Sequence, residues 1–338
     1  MKELLKRLCD LCGTSGREDN VREFIINEIK DYADYRVDGL GTLIVTKKGK
    51  NRAKVRVDAD AHMDEVGVIA VAANERGFVK FSTVGGIEIP ALISKRVVFE
   101  NGARGVICSK PVHLCSPDEK ENLPKLDDLV IDIGASSRKE ALEKISVGET
   151  AVFEPDYREM GDLVCSKALD DRAGCAILIK LIREEAEYDF TATFSTREEI
   201  GAGGGVAAYN SKCEAAVILE GTTAADIPSN SGSDRVCEVG GGAVLSFMDR
   251  ATLYDAALYR AGRKLADDNG IPCQTKTKVA GGNNAGPFHV ANGGVRTAAI
   301  SLPCRYIHSS SSAASLEDLD ACYRLAKLLI EKLASGEI

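Results

Sequence analysis

Two of the four histidines in this 338-residue chain lie in patterns that suit metal binding. His62 occurs in the pattern His-x-Asp, in which Asp64 can accept the proton of one ring nitrogen and so orient the other toward a cation. The simpler interpretation of His62 is a polar residue satisfied at a strand end. His308 follows a predicted strand and turn, and by itself it fits a loop surface as well as a ligand. His113 and His289 are interpreted as non-ligands.

Three groups of carboxylates accompany these histidines. Asp170 and Asp171 stand at the predicted start of a helix, where aspartate commonly caps the helix. Glu198 and Glu199 follow a predicted strand, and their side chains can project in different directions, so that one binds a cation while the other handles a proton. A solvated charge pair is the ordinary alternative. Glu220 ends an apolar run typical of a buried strand, so its carboxylate must be paired, solvated in a cleft or bound to metal.

The predicted sheet brings these residues to one place. The carboxyl ends of parallel strands share one edge of an open α/β sheet, and that edge is where sites assemble. The residues expected just past those ends are His62, Glu198, Glu199, Glu220 and His308. Two histidines and three carboxylates suit two Zn²⁺ or Co²⁺ ions that share one bridging carboxylate and leave a position for water.

Hydrophobic periodicity predicts the elements that must position this site. Apolar spacing over residues 1–35 predicts two amphipathic helices, and a strand is predicted at 54–59. Residues 68–153 are short β-rich runs broken by glycine and proline, which predicts an inserted β domain of barrel or PDZ-like form. Helices and strands alternate afterwards, which predicts an α/β layer with a largely parallel central sheet. The predicted catalytic domain is therefore discontinuous and comprises 1–67 and 154–338.

Composition and charge narrow the classes of partner and location. Lys and Arg total 43 against 51 Asp and Glu, and the net charge of −8 disfavours nucleic acid and anionic membranes as partners. The amino-terminal residues form a charged amphipathic helix rather than a signal peptide, and no membrane span is predicted. The eleven cysteines are scattered and odd in number, so we expect reduced thiols, no disulfides and a cytoplasmic protein.

Four segments resemble the M42 family of metallo-aminopeptidases, some members of which have been labelled glucanases. The segments are AHMDEVG (61–67), ALDDRAG (168–174), EEIG (198–201) and RYIHS (305–309). The resemblance runs from near Leu5 to the C-terminal helix. It implies a zinc-peptidase-like catalytic domain and an aminopeptidase that removes N-terminal residues from short peptides.

The resemblance also implies a role for each candidate residue. The two metal ions would be held by Asp170 as the bridge, by His62 and Glu220 on one side, and by Glu199 and His308 on the other. Glu198 would be the general base, which takes a proton from the attacking water and returns it to the leaving amine. Asp64 would orient His62. Family members also assemble as large homo-oligomers, commonly dodecamers, partly through the inserted domain.

Two residues depart from the family pattern. Glu220 stands where many relatives have Asp, which preserves the ligand chemistry but changes its reach. Asn284 stands where relatives usually have Asp, which removes one charge near the site. The preference for a free amino terminus is therefore open, and a related metal-dependent carboxypeptidase or deacylase is one alternative. A catalytically silent oligomeric scaffold is another, and a glucanase is disfavoured because its carboxylate pair has no better candidates than these ligands.

The insert is also where subunit contacts are expected. Alternation at Val66, Val68 and Ala70 predicts one buried face. Ile87 and Leu92 either supply a contact surface or are buried within the insert or against the catalytic domain, and the family resemblance favours the contact surface. We expect a homo-oligomer, a dodecamer by the resemblance, whose assembly admits short peptides and excludes folded proteins.

Overall fold

The computed structural model describes residues 1–338 and contains strands and α-helices along the whole chain. The strands, in chain order, are β1 (Asp34–Val37), β2 (Leu43–Lys47), β3 (Val57–His62), β4 (Gly67–Ala73), β5 (Val79–Val84), β6 (Arg96–Phe99), β7 (Arg104–Cys108), β8 (Val130–Asp132), β9 (Thr150–Phe153), β10 (Arg158–Met160), β11 (Leu163–Ser166), β12 (Phe190–Ser195), β13 (Ala215–Thr223), β14 (Ala243–Leu245), β15 (Cys273–Thr275), β16 (Arg296–Cys304) and β17 (Ser312–Ser315). The α-helices are α1 (Lys2–Asp10), α2 (Asp19–Ile29), α3 (Ile89–Leu92), α4 (Pro117–Glu121), α5 (Arg138–Lys144), α6 (Leu169–Arg183), α7 (Gly204–Ser211), α8 (Ala256–Asp268), α9 (Ala285–Val290) and α10 (Leu316–Ser335).

An eight-stranded sheet with the order β1-β2-β12-β3-β13-β16-β14-β15 carries the candidate site. Its four inner strands, β12, β3, β13 and β16, run parallel, whereas β2 and β14 join them antiparallel. Alternate residues of β13 enter two different hydrophobic cores, one on each face of the sheet, so the strand reads as a continuous apolar run. The predicted α/β layer with a largely parallel central sheet is confirmed.

Helices cover both faces of this sheet. Helices α1, α2, α6 and α10 contribute to the larger core on one face, and α7 and α9 pack on the other. Helix α6 is buried along almost its whole length because it lies between the sheet and α1, which explains why its sequence is apolar on nearly every side. The start of α6 therefore lies at a fixed position beside β3 and β13.

Six strands between Gly67 and Phe153 close into a barrel with the order β4-β5-β8-β7-β6-β9. Val68 and Ala70 face its core, as the alternation predicts, until a β-bulge between Ala70 and Ala72 shifts the register. The barrel has its own hydrophobic core, separate from those of the eight-stranded sheet. The β-rich barrel is confirmed as a fold, and its boundaries as an independent domain, at 68 and 153, remain predictions.

The predicted contact surface of the barrel is wrong for Leu92. Leu92 is fully buried in the barrel core, and Ile87 is partly buried against the same core. The reason is that the chain after β5 turns into the short helix α3, whose last residue packs inward. The apolar residues that the barrel exposes most are Val112, Leu114 and Leu123, on the connection between β7 and β8.

Two further features concern the helices and the cysteines. No helix has both the length and the apolar character needed to cross a membrane. All eleven cysteines are free thiols, including Cys9 within α1 and Cys12 just beyond its end.

Candidate active site

His62 is oriented by one ring nitrogen and presents the other to carboxylates. It is the last residue of β3, not the residue after the strand, because β12 pairs with β3 as far as His62. Its Nδ1 lies 3.0 Å from the backbone oxygen of Asp64 and 3.3 Å from Asp64 Oδ1, so Nδ1–H donates there. Nε2 then faces Glu220 Oε1 at 3.2 Å and Asp170 Oδ1 at 3.5 Å. Three other predicted residues, Asp64, Asp170 and Glu220, thus meet around the buried imidazole of His62.

Asp170 lies between the two histidines at the start of α6. Its Oδ1 faces His62, and its Oδ2 lies 3.4 Å from His308 Nε2. The neighbouring carboxylate, Asp171, is occupied differently because it accepts the backbone N–H groups of His62 at 3.2 Å and Gly174 at 2.9 Å. A cis peptide bond joins the two aspartates. Asp170 therefore contacts both halves of the site, whereas Asp171 fixes the backbone of β3 against α6.

His308 forms the second half of the site from the turn after β16. Its Nε2 lies 3.2 Å from Glu199 Oε2, and its Nδ1 lies 2.8 Å from the backbone oxygen of Gly86. Its side chain is 33% exposed, against 1% for that of His62. The second half of the site is thus the one that opens toward solvent.

Asp64 organises the two glutamates as well as His62. Its Oδ1 accepts the backbone N–H of Glu198 at 3.0 Å, and its Oδ2 accepts that of Glu199 at 3.1 Å. Ser15 Oγ also donates to Oδ2, at 2.5 Å. Sequence reasoning missed Ser15, which lies in the loop after α1 and carries no local signal of this contact. One carboxylate therefore fixes both sides of the site.

The expectation that Glu220 lies past the end of its strand is wrong. Strand β13 continues to Thr223 because β16 pairs with it in register over its whole length. Glu220 is therefore a strand residue with a carboxylate that is 8% exposed, and it reaches His62 from within the sheet. The extra methylene relative to Asp is consistent with a ligand that starts inside the strand.

Burial shifts the pKa values of the carboxyl groups. It raises the pKa of Glu198 to about 7 and that of Glu199 to about 8, and the charge of Asp170 adds to both rises. It also raises the pKa of Glu220 well above its usual range. Burial acts the same way on Asp170, yet the facing imidazoles of His308 and His62 hold its pKa well below the ordinary value. The site therefore crowds negative charge into a region that solvates it poorly.

For the two histidines, the nearby carboxylates outweigh the effect of burial, so their pKa values are raised and their charged forms are favoured. Burial lowers the pKa of His62, but Glu220 and Asp170 outweigh it and hold that pKa well above the usual value. Against burial, Asp170 and Glu199 raise the pKa of His308 to about 9. Positive charge is therefore favoured at both Nε2 positions, which is the electrostatic condition for binding cations there.

The donor atoms fit divalent metal ions. His62 Nε2 and Glu220 Oε2 are buried without a hydrogen-bond partner. Donor atoms of His62, Asp170 and Glu199 lie within 4.8 Å of one another, as do those of His62, Asp171 and Glu220. In the second group Asp171 is already occupied by backbone N–H groups, so Asp170 is the better ligand beside His62 and Glu220. Imidazole nitrogens with carboxylate oxygens form a set that Zn²⁺ and Co²⁺ accept.

The site opens into a cleft of about 380 Å³. The predicted residues that line it are Asp170, Glu198, Glu199, Glu220 and His308. The cleft is also lined by Asp249, Lys276 and Lys278. Lys276 Nζ donates to the backbone oxygen of Ala280 at 2.8 Å. A cleft of this volume is sufficient for a short peptide segment.

A buried polar network behind His62 gives Asn284 a role that sequence reasoning left open. Asn284 Nδ2 donates to Asp60 Oδ2 at 2.8 Å and to Ser195 Oγ at 2.7 Å. Burial raises the pKa of Asp60 to about 7. Asp60 already supplies a carboxyl group here, and the Asn284 amide supplies the hydrogen-bond donor that a second carboxylate would lack. One sequence signal could have indicated this network: Asp60 stands two residues before His62 and therefore lies on the same face of β3.

A buried ion-pair network holds α6 against the loop after β3. Lys167 Nζ donates to both oxygens of Glu65, at 2.7 and 2.8 Å. Arg172 donates to Glu65 Oε1 at 3.2 Å and to the backbone oxygen of Met63 at 2.9 Å. Because these contacts join the segments that carry Asp170 and His62, they fix the separation of the two residues. Sequence reasoning missed this network, although Lys167 and Arg172 flank the aspartate pair.

The fold and the donor set together define an α/β protein of the zinc-peptidase type that also carries a closed β-barrel. The match to known families makes the assignment specific, because residues 41–325 match the family of the M42 glutamyl aminopeptidase. The chain belongs to this M42 family. It is therefore an enzyme of the aminopeptidase type, from a family whose peptidases depend on metal ions.

Relatives of known structure and activity cover nearly the whole chain. The lysyl aminopeptidase of Pyrococcus furiosus is 31% identical over 98% of this chain and 97% of that protein. The solved aminopeptidase of the archaeon Desulfurococcus kamchatkensis has a TM-score of 0.93 at 30% identity, over 99% of this chain and 95% of that one. The TET1 peptidase of Pyrococcus horikoshii, which can assemble into a tetrahedron or a large octahedral shell, has a TM-score of 0.85 at 34% identity, over 98% of both chains.

Proposed function

We propose that this enzyme is a dinuclear metal-dependent aminopeptidase that removes N-terminal residues from short peptides. The observation that carries the proposal is the position of Asp170 between two histidines. Its Oδ1 lies 3.5 Å from His62 Nε2, and its Oδ2 lies 3.4 Å from His308 Nε2. A carboxylate whose two oxygens face two imidazoles supports one ion on each side, with Asp170 as the bridge.

Each proposed coordination sphere has its own histidine and its own glutamate. Glu220 lies 3.2 Å from His62, and Glu199 lies 3.2 Å from His308. Zn²⁺ and Co²⁺ are the ions proposed, because both accept nitrogen and carboxylate donors at low coordination number. When bound, such ions polarise a peptide carbonyl and lower the pKa of a water molecule.

Glu198 is proposed as the general base. It lines the cleft beside the ligands without belonging to either histidine-carboxylate group. Its pKa of about 7 suits a group that must accept a proton and release it again near neutral pH. Glu198 accepts a proton from the attacking water and donates it to the leaving amine. Asp64 supports both steps, because it holds the His62 ring and the Glu198 backbone in place.

A separate role is proposed for each of the two predicted domains of the chain. Residues 1–67 and 154–338 form the catalytic domain, and residues 68–153 serve assembly and substrate access in a homo-oligomer, proposed to be a dodecamer. The assembly of the TET1 relative supports this part of the proposal. The free state of all eleven thiols supports a cytoplasmic location, where thiols stay reduced.

The test is to load metal-free protein with Zn²⁺ or Co²⁺ and to measure hydrolysis of a panel of aminoacyl anilides. Glutamyl, lysyl and leucyl anilides are each compared with the N-acetylated form of the same compound. Cleavage confined to free amines supports the aminopeptidase. Preferential cleavage of blocked substrates, or of peptides from the carboxyl end, identifies a deacylase or carboxypeptidase instead. Two bound ions without hydrolysis of any substrate identifies a silent scaffold.

A further inference from the structure

We propose that Gly85 and Gly86, which enter the site from the barrel, position Glu199 and His308, so that the second metal site forms only when this segment is docked. The proposal rests on the two-metal function proposed above. It assigns the two glycines as positioning residues, because they contact the candidate ligands and not the reacting atoms.

The two histidine rings are oriented by different parts of the chain, although Asp64 also accepts the backbone N–H of Glu199 in the second half of the site. His62 is held by Asp64 through its ring and by Asp171 through its backbone, both of which belong to the layer around the eight-stranded sheet. His308 is held through Nδ1 by the backbone oxygen of Gly86, at 2.8 Å. Gly86 lies between β5 and α3, and thus on the barrel side. An orienting partner for a histidine ligand fixes its ring and tautomer, so Gly86 has this function for the second half alone.

The turn that carries His308 needs such support. Tyr306 and His308 have φ values of 57° and 58°, in the left-handed region that side chains other than glycine seldom adopt. His308 is also the more exposed of the two histidines. The backbone preferences of this turn therefore do not stabilise the position of His308. The contact between its Nδ1 and the Gly86 backbone oxygen orients the ring instead.

Gly85 lets the segment approach Glu199 closely. Its φ is +82°, and a Cβ at this position would lie 2.8 Å from Val66 Cγ1 and 3.3 Å from Glu199 Cβ. The space is therefore available only to glycine, and any side chain there would press on the side chains of Val66 and Glu199. The peptide between Gly85 and Gly86 would move with the displaced residue 85. This movement would displace the Gly86 backbone oxygen that contacts His308 Nδ1.

The position of this segment is set by the barrel. On one side, Val84 pairs with Gly67 at the start of β4. On the other side, Ile87 and Ile89 pack against the barrel core, and Leu92 is fully buried in it. The barrel thus holds both ends of the Gly85-Gly86 segment, and the second metal site is assembled across the sheet layer and the barrel.

The experiment compares Gly85→Ala with Gly102→Ala. Gly102 lies in the β6–β7 turn of the barrel with a φ of +86°, and a Cβ there would meet nothing within 4 Å. The control therefore carries similar backbone strain without touching the site. Binding of Zn²⁺ and of Co²⁺ to metal-free protein is measured by calorimetry, and bound metal is counted by elemental analysis. Circular dichroism checks the fold.

Gly85→Ala should bind the first equivalent with wild-type affinity and the second at least about tenfold more weakly, whereas Gly102→Ala should bind both as wild type does. If Gly85→Ala loses its fold, the double variant Val66→Ala/Gly85→Ala removes the nearer clash and is measured in the same way. Wild-type affinity for the second equivalent in the folded variant would overturn the positioning role. A wild-type protein that binds fewer than two equivalents would instead overturn the two-metal function on which it rests.

Discussion

Replacing Glu198 with Gln tests the assignment of the general base while leaving the rest of the site in place. The amide has the same shape but cannot accept the proton of the attacking water. The contact that fixes this segment is the backbone N–H of Glu198 with Asp64 at 3.0 Å, and the substitution preserves it. Glu198 also belongs to neither histidine-carboxylate group, so the metal content should stay near that of the wild type.

The expected loss is that of a general base. Such a group contributes about 10²–10⁴-fold to the rate, which corresponds to about 3–5 kcal/mol in the activation barrier. The assay is kcat on the best anilide substrate, with bound metal counted on the same samples. Glu75→Gln is the matched control. The Glu75 side chain is 84% exposed and lies in the barrel, outside the cleft. A Glu198→Gln enzyme that kept more than about a tenth of the wild-type kcat would refute the assignment.

The pH profile of the same two proteins adds an independent measurement. Burial raises the pKa of Glu198 to about 7, and a base acts in its deprotonated form. Activity should therefore be present above this pKa and fall as the pH drops through it, and bound cations move the fall to a lower pH. The residual activity of Glu198→Gln should lack this acidic limb. An unchanged limb in the variant would assign the titration to another group.

The remaining predictions concern the ligands, the network behind them and assembly. His62→Ala and His308→Ala should each lose about one metal equivalent by elemental analysis, and a variant that retains both ions would remove that histidine from the site. Asn284→Asp should lower the free energy of unfolding by about 1–3 kcal/mol, and by more at pH 8 than at pH 5, because it places a second carboxylate against Asp60. Adding Asp60→Asn should restore the free energy of unfolding. An Asn284→Asp protein as stable as the wild type would contradict the network. Light scattering should report a mass far above the 36.1 kDa of one chain, and a monomer for active enzyme would exclude the oligomer. Leu92→Asp should lower the melting temperature rather than change assembly alone, because Leu92 is fully buried.

Much of the fold could be predicted because its signals are local. The apolar run of β13, the alternation at Val68 and Ala70 and the glycine-broken insert each report the chain's own periodicity. Boundaries were less predictable. Strand β13 extends past Glu220 because β16 pairs with it, and Leu92 is buried because α3 packs into the barrel. Both outcomes depend on neighbouring elements, which local propensity does not contain.

The sequence by itself determined which residue types stand at the edge of the sheet. The residues proposed as ligands are His62, Asp170, Glu199, Glu220 and His308, and the structure brings all five together. For His62, Glu199, Glu220 and His308, sequence position indicated this because parallel strands end at a common edge. Asp170 lies at the start of α6, and only the family resemblance placed it among the ligands.

Only the tertiary structure decided which atoms meet there. The two oxygens of Asp170 face different histidines, and His308 takes its orientation from Gly86, which lies 222 residues away along the chain. Asn284 reaches Asp60 across 224 residues. Periodicity describes the path of one segment, whereas contacts at these separations depend on how the barrel and the helices pack against the sheet, and packing fixes distances to within an ångström only once the whole chain has folded.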